Sequence, residues 1–260
     1  MEVHHHSHAH EKKNWKAYFW EFLMWFLAVF CGFLAENFRE HQVEHQREKQ
    51  FMITMVEDLR SDTAIVAYVA AYWNTINNSI DSVADAIQFP VQRTDFAKAY
   101  RHLSNALNYY GFRYNDRTIA QLKNSGGFRL IRQRDVANKI IRYDQLNQNA
   151  MPNIAEEHTT LYMQTLALRN KVFVQEITNE VNKRYLYKPP PAAVNNWIDS
   201  MMQIYKVPLP AETYNTLMFE FKNSLLALRK DFTNLNWGYD NEKTQMNGLI
   251  ALIQDKYHLK

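Results

Sequence analysis

An all-α protein with a membrane-spanning N-terminal helix is predicted by three features of the sequence. Six glycines and seven prolines are spread over 260 residues, so the punctuation that separates many short strands is missing. Apolar residues recur in steps of three and four over long stretches, the period of one buried helix face. A run near the start, WEFLMWFLAVFCGFLAENF at 20–38, is almost free of charge. The expected architecture is a transmembrane helix continuing into an elongated antiparallel bundle of about three long helices with a small helical cap.

The anchor comes first. Between Ala17 and Ala35 only Glu21 carries a charge, and 19 residues at the helical rise span roughly 28 Å, about a hydrocarbon core. A soluble core helix would need a polar face, which this stretch lacks. Phe33 and Phe30 stand where signal and lipoprotein processing want small residues. An uncleaved signal anchor at 17–35 is therefore expected, after a His/Lys-rich tail at 1–16. Lys12, Lys13 and Lys16 precede the span, whereas Glu36 to His45 holds Arg39 alone among Lys and Arg. That asymmetry predicts a cytoplasmic N-terminus and an exported domain at 36–260. The single cysteine, Cys31, lies inside the span, which is compatible with an oxidising exterior.

Beyond the span, Glu36 to Lys49 is almost wholly polar, and then Met52, Met55, Leu59, Thr63, Val66, Ala70, Trp73, Ile76, Ile80, Val83 and Ile87 keep one face apolar. One helix is expected over 36–88, ended by Pro90. The cap at 95–134 holds two short helices: Phe96 to Tyr110, capped by Thr94 or Asp95, and a second opened by Asn115 or Asp116 and closed by Gly126-Gly127. Asp135 opens a long helix at 135–187, kinked or split by Pro152 and ended by the prolines at 189–191. A short helix at 194–205 and a long one at 211–258 follow; Gly238 and Gly248 are places for a bend in the latter.

Short links between long helices predict an up, down, up course. The cap would then lie at the far end of helix one, and the turn at 185–210 would lie near the bilayer. Tyr185 and Tyr187 sit in that turn, and Trp197, Ile198, Met201, Met202 and Tyr205 form a stripe suited either to a lipid interface or to packing on the bundle.

Candidate chemistry is sparse. Glu21 can snorkel to the headgroups or reach Lys13 or Lys16; the alternative is a proton-binding or intramembrane contact with partner helices. Five histidines between His4 and His10 offer weak metal affinity without fixed geometry. His41 and His45 lie four apart on one helical face with Glu48 a turn on, a facet that would complete a zinc shell only if an oligomer brought copies together. A solvated collar explains the same residues.

Charge is uneven. Residues 36 to 88 carry nine acids and four bases, whereas 101 to 142 carry nine bases and two acids. Arg101, Arg113, Arg117, Lys123, Arg129, Arg132, Arg134, Lys139 and Arg142 thus predict a basic knob, either a surface for an anion or acidic partner or a solvated face that offsets the acidic first helix. Aromatic interleaving is limited to Tyr109, Tyr110, Phe112 and Tyr114, so no nucleic acid partner is expected. No phosphate loop, dinucleotide fingerprint, zinc-protease pattern or nucleophile elbow occurs; neither enzymatic activity nor a cofactor is expected.

The segments KNWKAYFWEFLMWFLAVFCGFLAE, REKQFMITMVEDLRSDT and QLKNSG followed by LI resemble an uncharacterised bacterial family of single-pass membrane proteins, a domain of unknown function. The resemblance implies the anchor-plus-helical-domain plan and no assigned chemistry. The expected function is a membrane-tethered interaction or sensor-like module of the cell envelope, with the lipid bilayer and a protein partner or second copy as its associates. The alternative is an accessory single-pass subunit of a proton-driven or transport complex.

Overall fold

A computed structural model describes residues 14–185, 191–207 and 212–259. The N-terminal histidines, Lys12, Lys13, Tyr187, the first two prolines of the triple and Pro208 to Pro210 lie outside the described residues. All regular structure among the described residues is helical. The chain divides into two units, Met1–Phe51 and Met52–Lys260.

In the first unit, helix α1 (Trp15–Ala86) begins. Its apolar opening is long and apolar enough to cross a membrane, and none of that window is buried within the molecule. Phe22, Trp25, Phe26, Val29 and Phe33 all point outward, and Phe22, Phe26 and Phe30 stack one turn apart, at 6.2 and 5.8 Å between ring centres.

In the second unit, α1 buries the predicted face: Met52, Met55, Leu59, Val66, Trp73, Ile76, Ile80, Val83 and Ile87 are all in the core. Helix α2 (Arg93–Ala106) opens with a capping box, in which Asp95 accepts the Gln92 N–H at 3.2 Å. It therefore starts earlier than expected and ends at Ala106, before the expected Tyr110. An extended strap, residues 107–116, leads to α3 (Arg117–Asn124), a 3₁₀ turn (Gly127–Leu130) and α4 (Arg134–Gln145). Gly126 between them takes φ 67, the left-handed value that glycine adopts freely.

The expected long helix at 135–187 is three helices. A π-helical turn (Leu146–Ala150) separates α4 from α5 (Met151–Val172) just before Pro152, whose missing N–H removes one rung of the ladder. A second break at Phe173 and Val174 precedes α6 (Gln175–Tyr185). Here the Val174 N–H donates to the Tyr100 hydroxyl of α2 at 2.6 Å, and Phe173 packs edge-on against Tyr100, 4.9 Å between centres. Tertiary contacts thus replace a helical bond. Helix α7 (Val194–Ile204) and α8 (Glu212–Tyr257) complete the chain, α8 running unbroken through Gly238 and Gly248.

The course of the helices differs from up, down, up. Asp81 with Arg229, Trp73 with Phe232 and Thr63 with Met246 pair α1 with α8 in opposite directions. His158 with Asp231 and Thr165 with Ser224 do the same for α5 and α8. Helices α1 and α5 therefore run in the same sense, because the strap makes the return: Tyr110 meets Trp73, and Asn115 meets Asp62. As a result α3 lies beside residues 58–62, where the chain enters this unit, and not at the far end of α1.

The stripe on α7 is also accounted for. Ile198 and Met202 are buried, α7 packs on α2 and α6, and the Arg184 guanidinium lies 4.3 Å over the Trp197 ring. Protein, not lipid, covers its centre.

Candidate functional site

Two acids one turn apart on α1, Asp58 and Asp62, organise the polar interior; both are almost fully buried. The Asn115 backbone N–H donates to both oxygens of Asp62 at 3.0 Å, and its side-chain amide donates to Asp58 at 3.0 Å. The Thr118 N–H and hydroxyl reach Asp58 at 3.1 and 2.5 Å, and Arg117 joins it at 2.7 Å. Asp58 therefore caps α3 from another helix, placing a negative charge where the helix dipole favours it. Asp116, the residue in the N-cap position, makes no side-chain cap bond.

From α4, the Tyr143 hydroxyl donates to Asp62 at 2.8 Å. Burial, then the Asp62 charge, pushes the Tyr143 pKa up, so its hydroxyl stays a donor. Burial raises Asp62 as well, against the bonds from Asn115 and Tyr143, and the Asp58 charge adds to the rise. Glu242 of α8 is fully buried and neither of its oxygens has a hydrogen-bond partner of good geometry. Burial pushes its pKa up to about 7; the Asn147 side chain opposes the rise and the Asp62 charge adds to it.

Above this cluster lies a half-enclosed groove of about 410 Å³ between α4 and α8. Lys139 and Arg142 form one wall, Asn241, Thr244 and Gln245 the other, Tyr143 lies between them, and Gly248 and Leu249 complete the lining. Among the described residues no carboxylate lines it. The Thr244 hydroxyl donates to the Asp240 carbonyl at 2.9 Å, so the donors left on the α8 wall are the amides of Asn241 and Gln245.

The structure sorts the basic residues. Arg117 is held by Asp58 and Lys123 by Asp144 at 2.6 Å, where Tyr114 and Gln148 also converge. Arg113, Arg129, Arg132, Arg134, Lys139 and Arg142 are exposed. Arg101 stands apart on α2, donating to His102 at 2.9 Å.

The histidines are not brought into one facet: His45 meets Glu48 at 3.3 Å while His41 faces Glu44 at 3.9 Å. Among the described residues no three His, Cys, Asp or Glu side chains are placed to hold a metal ion. Glu21 is partly exposed on α1.

Glu242, Asp58 and Asp62 escaped the reading of the sequence, although a signal exists. Leu235, Tyr239, Glu242, Met246, Leu249 and Ile253 continue one helical stripe, and Asp62 falls in the series Met55, Leu59, Asp62, Val66. An acid on an apolar stripe is a buried acid. The pair of His158 and Asp231, 2.5 Å apart with the histidine buried between Tyr109 and Phe232, joins residues too distant in sequence to be linked by spacing. No family model matches the sequence, and no curated protein and no solved structure is similar to it.

Proposed function

We propose that this chain is a membrane-tethered α-helical interaction module of the bacterial cell envelope. The span at 17–35 would hold it in the inner membrane with its N-terminus cytoplasmic, and the domain that follows would work in the periplasm, the plan of the uncharacterised family it resembles. The observation that carries the reading is the excess of exposed bases on the strap, the 3₁₀ turn and α4: Arg113, Arg129, Arg134, Lys139 and Arg142. Of the neighbouring acids, Asp144 is paired with Lys123 and Asp135 with Lys256. Such a field attracts an anionic surface on a partner or a second copy.

The full-length protein is purified in mild detergent beside a variant in which Arg129, Arg134 and Arg142 are changed to Glu. Partners that leave the wild type as salt rises and are missing from the variant support the proposal. Identical partner sets from both proteins contradict it.

A second reading rests on Glu21, an acid in an otherwise uncharged span. It makes the chain an accessory subunit of a proton-driven or transport complex, recovered with polytopic membrane partners whose retention depends on Glu21.

A further inference from the structure

We propose that the groove between α4 and α8 is a binding site for a phosphate-ester anion. The inference rests on the reading of α4 as an anion-attracting surface and adds a defined pocket and a ligand class to it. Lys139 and Arg142 are one turn apart on α4 and both line the groove, so a point charge and a guanidinium fork face the same space. Opposite them stand the amides of Asn241 and Gln245. A planar carboxylate would satisfy the guanidinium alone, whereas a tetrahedral anion with several free oxygens can accept from both walls at once.

The buried acids Asp62 and Glu242 are not among the residues that line the groove. The Tyr143 ring lies between them and the opening, and its hydroxyl is turned inward to Asp62. At about 410 Å³ the groove exceeds a bare phosphate and falls within the range of small-molecule sites. Leu249, the Tyr143 ring and the bare backbone of Gly248 offer room for the carbon body of an ester. A Cβ built on Gly248 meets nothing within 4 Å, so the first atom of a larger side chain there has room beside the groove.

That property supplies the test. Calorimetric titrations use the full-length protein in a neutral detergent, with glycerol 3-phosphate as a free ester, dihexanoyl phosphatidylglycerol as a lipid headgroup and dihexanoyl phosphatidylcholine as the zwitterionic control of no net charge. Saturable one-site binding of either anionic probe is expected, and which of the two binds tells a soluble ester from a lipid as the source. Gly248→Leu fills the groove and keeps every charge, and Lys139→Gln with Arg142→Gln keeps the space and removes the cations; each should weaken binding by roughly tenfold or more. Gly248→Leu should leave salt-dependent partner capture intact, which separates failure of the groove from failure of the basic surface. Absence of saturable binding by both anionic probes, equal binding of phosphatidylcholine, or undiminished binding by Gly248→Leu would each overturn the proposal.

Discussion

Asp58 accepts the Thr118 backbone N–H at 3.1 Å, so that a side chain of α1 caps a helix 60 residues further along the chain. The same carboxylate holds the Thr118 hydroxyl, Asn115 and Arg117. Helix α3 is thereby fixed to α1, and the strap to the bundle.

Asp58→Ala should therefore be far more damaging than Asp116→Ala, although Asp116 occupies the N-cap position. Removing a buried acceptor that also pairs with Arg117 costs about 3 kcal/mol or more. Removing Asp116, which makes no cap bond, should shift stability by less than about 0.5 kcal/mol. Urea denaturation of both variants at one pH checks the contrast; equal losses would contradict it.

Glu242 gives a pH dependence with a definite sign. Its folded pKa of about 7 stands above the ordinary 4.5, so between these values the folded state holds a proton that the unfolded state has lost. Stability is then full below about 4.5 and falls as pH rises to about 7, by on the order of 3 kcal/mol. The raised pKa of Asp62 acts in the same direction. Glu242→Gln should stabilise the protein at pH 8 relative to wild type and change little at pH 4.5. A difference independent of pH between the two proteins would count against a buried carboxylate whose burial outweighs its partners.

Two glycines should respond in opposite ways to the same substitution. Gly126→Ala introduces a Cβ at φ 67, where nothing crowds it but the backbone itself is unfavourable, a loss of about 1 kcal/mol. Gly238→Ala lies within α8 in open space and should gain about 0.5 to 1 kcal/mol from helix propensity. Thermal melts that moved in the same direction would contradict the two backbone assignments.

The apolar face of α1 and the ends of α7 and α8 could be read from the sequence because a helix that buries one side writes a local period into it. Leu217, Phe221, Leu225, Leu228, Phe232 and Leu235 are one such series, and all but the partly buried Leu217 lie in the core. The strap was not legible, since its bonds join residue 115 to 58 and 62 and residue 110 to 73. No repeat records such pairings. Without the strap, short links implied the wrong direction for α4 and α5. The break at Phe173 was hidden for the same reason, because its cause is Tyr100 on α2. The charges of Lys139 and Arg142 were visible, but their groove needs α8 as its second wall, which only the tertiary course supplies.

The most direct test concerns the side of the membrane on which the domain lies. A cysteine placed at the exposed Ser125, in a chain whose Cys31 is changed to Ser, is treated in intact spheroplasts with a membrane-impermeant maleimide. An exported domain is labelled before lysis. Labelling that appears only after the membrane is broken would contradict the account.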